Sequence, residues 1–392
     1  MAAPNRQVLL VALLFAASFT VATTVVVSAS LAGAALSGDD RLATLPISLG
    51  LVGAVSVTWP ISKLMGRWGR RPGFQVAALA GLAGALICAS AIQRGSFPLF
   101  CGGSMLIGAM GGAGQYYRFT AGEVADASAR EKAFGIVLGG GVLGGLVGPP
   151  SAVWAADAFG SRFVGTYLFV ALMATLVLCL LPFLRVPRPV VAGHAPVRLV
   201  PDRPFFAAVV AGVLAYGLMV LLMYAAPLSL RAHGHHDAVT ASVLQAHVIA
   251  MFLPSFFTGP LLQRIGPDRG MAAGLAIVGA CIAVNLSGGS VAHYYVSLAL
   301  LGVGWNLLFV AATALLAKSH AGDDKASAQG TNELLVGSAS AGAAFLAAPA
   351  HAALGWPGVN LLVAAVACAG ALALLLLRMP ARRPASPPGT PA

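Results

Sequence analysis

Lysine and arginine in this 392-residue chain fall almost entirely in every second connection between long apolar runs. Twelve runs can be drawn. The connections holding Arg6, Lys63–Arg71, Arg130–Lys132, Arg185–Arg203, Arg264–Arg269, Lys318–Lys325 and Arg378–Arg383 carry 18 of the 23 cations. The alternate connections carry four, Arg41, Arg94, Arg162 and Arg231, and Arg118 alone falls well inside a run. Short loops rich in Lys and Arg stay on the cytoplasmic side of a membrane. Strict alternation requires an even number of spans with both termini on that side, so the sequence reads as an inner-membrane, multi-pass topology.

Composition agrees. Hydrophobic residues make up 58% of the chain and charged residues only 9%, against roughly a quarter charged in a soluble domain. A helix crosses the hydrocarbon core with about 20 apolar residues, and the runs meet that length. They cover approximately 8–36, 43–65, 74–93, 97–121, 134–156, 164–185, 205–229, 241–263, 270–289, 293–317, 329–351 and 355–378. The fold class expected is an all-α membrane protein. The net charge of +11 is read as anchorage against anionic lipid rather than as affinity for nucleic acid. The first run, with eleven more behind it, is too long for a signal peptide. Cys88, Cys101, Cys179, Cys281 and Cys368 all lie in apolar runs with no CxxC spacing. They are expected to be small buried hydrophobes, not disulfides or metal ligands.

The longest connection, near the midpoint, divides the chain. The organisation expected is a six-helix bundle over 1–185, a linker over 186–204, a second bundle over 205–378 and a disordered tail over 379–392. An internal repeat supports the division. Ser62, Gly66, Arg67 and Gly69 after the second run align with Gly259, Gln263, Arg264 and Gly266 after the eighth at a constant offset of 197. Six spans per copy preserve orientation, so the repeat is parallel. Parallel repeats place a binding site near mid-membrane between the halves.

The connection Ser62-x-x-x-Gly66-Arg67-x-Gly69-Arg70-Arg71 resembles the Gly-x-x-x-Asp-Arg-x-Gly-Arg-Arg signature of the major facilitator superfamily. Arg67, Gly69, Arg70 and Arg71 match; Ser62 and Gly66 depart, and the latching carboxylate of the family is missing. Gly144-x-x-x-Gly148-Pro149 in the fifth span is similar to part of an antiporter motif of that superfamily and leans toward export. Close helix packing explains the same glycines. The segments around Gln245–Gly259, Gly302–Phe309 and Ala326–Glu333 resemble a bacterial branch of permeases and efflux proteins. The resemblance implies twelve transmembrane helices in two pseudo-symmetric bundles and alternating access. It implies secondary transport of a small organic solute, with no cofactor, nucleotide or nucleic acid. A monomer is expected, protons are the candidate coupling ion, and an uptake permease or uniporter of the same fold is the alternative.

Ionisable and polar groups inside the membrane are costly and mark function. Tyr216, Met219 and Met223 share one face of the seventh span, and Trp305 and Asn306 lie near the middle of the tenth; these five are the expected solute contacts. Arg118, Glu123, His247 and Glu333, with the signature residues, are the candidates for coupling and gating. Arg118 and Glu123 lie about 140° apart on a helix, so each needs another partner. By the resemblance, Arg118 is expected to meet Glu333 across the halves when the cytoplasmic side is closed. Gln245 and His247 are about 200° apart, so only one can face a central cavity. The helix-1 acid and helix-4 arginine of many proton-coupled relatives are absent; Ser104 aligns with that arginine. A membrane-embedded enzyme is the competing class. Its best support is a histidine group, His233, His235 and His236 beside Asp237, with metal-ligand chemistry.

Overall fold

The computed structural model describes residues 5–126, 130–186, 202–319 and 324–378. Most of the expected linker and the whole expected tail lie outside the described residues. The helices are α1 (Arg6–Ser37), α2 (Leu45–Trp68), α3 (Arg70–Gln93), α4 (Phe97–Gly114), α5 (Tyr117–Val124), α6 (Arg130–Trp154) and α7 (Val164–Leu180). They continue with α8 (Arg203–Ala232), α9 (Asp237–Phe252), α10 (Ser255–Ile265), α11 (Pro267–Ser287), α12 (Val291–Ser319) and α13 (Asp324–Arg378). An apolar chain in lipid must satisfy its backbone groups internally, which helices do.

These helices make twelve spans. α4 and α5 form one crossing, interrupted at Gln115 and Tyr116. α9 and α10 form another, bent by 43° at the Leu253-Pro254 step, where Pro254 lacks the N–H that would continue the ladder. α13 holds two crossings joined at Gly355, whose φ of 65° suits a residue without Cβ. Large apolar side chains such as Trp59, Leu79, Leu172 and Leu375 are exposed on the bundle, as a lipid-facing surface requires. Two cysteines depart from expectation. Cys88, Cys101 and Cys281 are buried, but Cys179 and Cys368 are exposed, because their helices present those positions to the outside of the bundle.

The repeat is visible in the backbone. Gly69 ends α2 with φ 93° and its N–H bonds the Met65 carbonyl. Gly266 ends α10 with φ 83° and its N–H bonds the Leu262 carbonyl. Both pairs keep the offset of 197, and the positive φ explains why glycine stands in both copies. Packing follows the same rule. α1 packs on α6 as α8 packs on α13, and α3 on α4 as α11 on α12.

One end of the bundle carries Arg67, Arg70 and Arg71; we call it the basic end and the other the far end. At the basic end α1 is tied down by side-chain bonds. Asn5 donates to the Val124 carbonyl at 3.1 Å, and Gln7 accepts from the Arg185 N–H at 2.8 Å.

Candidate functional site

A cavity of ≈ 210 Å³ lies between α1, α2 and α4. Phe15, Ser18 and Phe19 of α1, Gly50 and Ala54 of α2, and Ser104, Gly108 and Gly112 of α4 line it, with Gln115 at the α4–α5 break and Tyr224 of α8 opposite. The glycines have two tasks. A Cβ on Gly108 would collide with the Gly50 carbonyl, and one on Gly112 with the Ala54 carbonyl. The four-residue spacing stacks both on one face of α4, so α2 and α4 touch backbone to backbone and leave open space beside them.

Next to the cavity runs a continuous series of aromatic rings. Phe15 stacks on Phe19 at 5.7 Å, and Phe19 meets Phe252 edge-on at 5.0 Å. Phe252 approaches Trp305 at 6.2 Å, and Trp305 stacks on Phe309 at 5.1 Å with 15° between planes. Tyr216 sets its edge against both Trp305 and Phe309, at 5.3 and 5.2 Å. The Phe19–Phe252 contact joins α1 to α9 and so crosses from the first six spans to the last six. The indole Nε1 of Trp305 is buried and has no hydrogen-bond partner. A buried unsatisfied donor is costly, by about 1–3 kcal/mol, unless an acceptor arrives.

The expected solute contacts separate in the structure. Tyr216 and Trp305 come together in the aromatic series. Met219 and Met223 are buried in the hydrophobic core, and none of the five expected residues lines the cavity; from α8 only Tyr224 does. Asn306 has another task. Its Nδ2 donates to the Met251 carbonyl at 2.8 Å and to Ser255 Oγ at 2.7 Å, and its Oδ1 accepts from Thr258 Oγ1 at 2.6 Å. Those bonds hold the α9–α10 bend and give the Met251 carbonyl, at the break between the two helices, a donor from α12. In this arrangement the amide is engaged by these three bonds. Phe15, Phe19, Gln115 and Tyr224 went unremarked in the sequence, and Phe252 and Phe309 figured only inside the segments of the resemblance, although Phe15/Phe19 and Trp305/Phe309 show the i, i+4 spacing that stacks side chains.

Charges bridge the seam between the two sets of spans. Arg118 Nη2 lies 3.2 Å from Glu333 Oε1, joining α5 to α13. The Nε of Arg118 is buried without a partner, and Tyr216 is within electrostatic reach of both charges. Glu123 takes a different partner, as the helix geometry requires. Arg70 holds it by a forked contact, with Nη2 2.5 Å from Oε1 and Nε 3.0 Å from Oε2. The carboxylate that Arg70 engages therefore comes from α5 within its own half. Nothing lies within 4 Å of where a Cβ on Gly66 would stand, so crowding does not explain the missing acid there. Arg67 and Arg71 are exposed.

The far end is bridged as well. Thr44 Oγ1 donates to the Ala344 carbonyl at 3.0 Å and accepts from the Ala348 N–H at 3.3 Å. Ala34, Ala43, Leu228 and Ala348 form a small apolar seal beside it. Arg162 pairs with Asp237 across the same seam. The Arg118–Glu333 contact was expected in an arrangement open at the far side; here it coexists with far-end closure. Midway, Gln245 Nε2 donates to the Leu146 carbonyl at 2.8 Å, so Gln245 faces the seam and His247 turns away. His247 is buried in α9 and bonds the Leu298 carbonyl of α12 through Nδ1 at 2.7 Å. A carbonyl only accepts, so Nδ1 carries the proton.

Gly140, Gly144 and Gly148 of α6 face α1. A Cβ on Gly144 would stand 2.8 Å from the Phe19 ring, and one on Gly148 would meet Thr23. Thr23 and Thr24 donate to the Gly144 and Gly148 carbonyls at 2.9 and 3.1 Å. The far-end histidines serve the backbone. His233 bonds the Ser229 carbonyl and Tyr294, and His235 the Gly289 carbonyl. No group of three potential metal ligands is arranged for an ion among the described residues.

Twelve spans in two repeated sets, bridged at both ends around an internal cavity, define a polytopic membrane transporter. The family model for the Major Facilitator Superfamily matches residues 8–228 and 205–392. The chain belongs to the Major Facilitator Superfamily. It is 36% identical over 341 residues to the riboflavin transporter RfnT of Brucella anthropi, covering 85% of this chain and 86% of that protein. It is 28% identical to YdeG, an uncharacterized transporter of the same type from Bacillus subtilis, over 76% of this chain and 75% of that one. Among solved structures, a D-xylose–proton symporter superposes with a TM-score of 0.74 at 15% identity, covering 95% of this chain and 96% of the other. An occupied, inward-facing bacterial homolog of the human lysosomal transporter Spinster gives 0.73 at 13% identity, covering 96% and 97%. At such identity these two show the fold alone.

Proposed function

We propose that this chain carries a flat aromatic solute of the riboflavin class across a bacterial inner membrane by alternating access, with the basic end in the cytoplasm. The observation that carries this reading is the ring series from Phe15 to Tyr216 beside the cavity, with the unpartnered Trp305 N–H within it. Offset and edge-on ring contacts are worth about 0.5–1.5 kcal/mol each beyond burial. A planar heteroaromatic solute with carbonyl acceptors would exploit both the rings and the orphan donor. The similarity to RfnT supports the same class.

The cavity of ≈ 210 Å³ is below the roughly 300–1,000 Å³ of small-molecule pockets. With both ends of the seam bridged, it corresponds to a contracted arrangement. Entry of the solute parts Phe19 from Phe252 and one of the end bridges. Glu333 is half-exposed and Arg118 mostly covered. Protonation of Glu333 would release Arg118 and loosen the basic end, which makes Glu333 the coupling carboxylate of this reading. The fifth-span glycines pack on α1, and export remains the direction that their motif favours.

The test uses purified protein in nanodiscs and the fluorescence of riboflavin. Saturable quenching is expected, reduced about tenfold in affinity or more by Trp305→Ala or Phe19→Ala, since aromatic anchors of this kind carry 1.4 kcal/mol or more. In proteoliposomes, a pH gradient should drive flux in the wild type and not in Glu333→Gln. Absence of riboflavin binding at any concentration that leaves the protein folded would overturn the solute class. Equal flux with and without the gradient would overturn the coupling.

A further inference from the structure

A second pocket, of ≈ 150 Å³, lies at the far end on the seam itself. The first six spans supply Leu31, Ala32, Ala35 and Leu36 from the end of α1, Ile92 from α3, and Arg162 and Phe163 from before α7; the last six supply Arg231 from the end of α8 and Asp237 from the start of α9. Two guanidinium groups, of Arg162 and Arg231, and one carboxylate, of Asp237, line it. The far end has only four arginines in all, and two of them line this pocket.

The charges are arranged unevenly. Asp237 is mostly covered and bonds Arg162 through Nη2. Asp157 approaches Arg162 only to 3.9 Å and is exposed. Arg231 enters no ion pair among the described residues. Phe163 is the one non-glycine residue with positive φ, 73°, among the described residues. That conformation is uncommon for a bulky side chain. It buries the Phe163 ring while turning Arg162 toward the seam. A strained backbone position, an apolar floor and an unpaired guanidinium meet at one spot.

We propose that this pocket binds a small amphipathic monoanion, a carboxylate or phosphate group on a short apolar body. Its charged group would sit between Arg231 and Arg162, in competition with Asp237, and its apolar body would rest on Leu31, Leu36, Ile92 and Phe163. Because Arg162 and Asp237 belong to opposite sides of the seam, occupancy weakens one far-end bridge and favours far-end opening. The proposal stands apart from the solute reading, since it shares no residue with the cavity or the ring series.

The experiment measures thermal unfolding of the full chain in nanodiscs of phosphatidylcholine at constant ionic strength, with benzoate, inorganic phosphate or chloride added. Benzoate should shift the midpoint saturably, phosphate should act at higher concentration because it lacks the apolar body, and chloride should have no saturable effect. Arg231→Gln, at an exposed site, should weaken benzoate about tenfold, as expected for loss of a charge-assisted contact. Asp237→Asn should tighten benzoate binding by removing its competitor. Arg6→Gln, at an exposed site of the basic end, should leave it unchanged. In nanodiscs containing phosphatidylglycerol, a lipid headgroup as the natural ligand would suppress the benzoate response, and a free anion would leave it intact; either supports the site. An equal benzoate response in wild type and Arg231→Gln, or none in either lipid, would overturn it. Riboflavin quenching on the same samples reports separately on the solute site.

Discussion

The two walls that meet at the centre of this transporter are built on opposite principles. The wall from α1, α2 and α4 is made of space. Gly50, Gly108 and Gly112 let two backbones touch, and the cavity opens beside them. The wall from α8, α9 and α12 is made of surface: Tyr216, Phe252, Trp305 and Phe309 fill their positions with rings. Phe15 and Phe19 reach from the first wall to the second. A repeated fold therefore does not mean repeated chemistry. The two copies share turn geometry at Gly69 and Gly266, where the backbone demands it, and diverge in the side chains that face each other at the centre.

The sharpest way to break the contrast is to remove the space. Gly108→Leu places a side chain against a backbone carbonyl that has no free rotamer to yield. Overpacking of this kind costs about 1–3 kcal/mol where neighbours can shift, and here more. The expected outcome is loss of folded monomer in size-exclusion chromatography, whereas Phe309→Leu on the ring wall should stay folded.

The next effect concerns the basic end. Charge reversal at Arg118 or at Glu333 alone should reduce flux by about tenfold, an energy of roughly 1.4 kcal/mol. The double reversal should recover most of it, as direct coupling between contacting residues requires. A double mutant as slow as either single would remove the bridge from the transport cycle. Because Glu333 is half-exposed, screening keeps the pair's contribution to stability small, and the thermal midpoint should hardly move.

Asn306 gives the finest discrimination. Asn306→Ala breaks three bonds at the α9–α10 bend and should lower stability by about 1–3 kcal/mol, read as a drop in thermal midpoint. Riboflavin affinity of the folded fraction should stay within about twofold, a fraction of a kcal/mol. A large loss of affinity with an unchanged midpoint would return Asn306 to the solute.

Much of this molecule was legible in one dimension. Hydrocarbon admits only long apolar helices, so the spans could be bounded, and the charge alternation ordered them. The offset of 197 announced the repeat. Angular reasoning alone separated Arg118 from Glu123 and Gln245 from His247. Less legible were the breaks at Gln115–Tyr116 and Pro254, because a proline in an apolar run does not say whether the helix bends or ends. Least legible was the cavity wall. Residues such as Phe15 and Gly108 look like ordinary packing groups until their neighbours are known.

What the amino-acid order fixed unaided was local and periodic: which segments enter lipid, which end is basic, where glycine must turn the chain, and which polar groups are too costly to be incidental. What required the folded chain was which helix faces which. Arg70 with Glu123 inside the first half, and Thr44 with the Ala344 carbonyl and Phe19 with Phe252 across the seam, join residues 53 to 300 positions apart; Arg118 with Glu333 was expected only through the family resemblance. Helix periodicity fixes the face a residue occupies but not which helix packs against that face, because many pairings of apolar surfaces bury similar area. Only the packed arrangement, with its backbone contacts at glycine, selects among them.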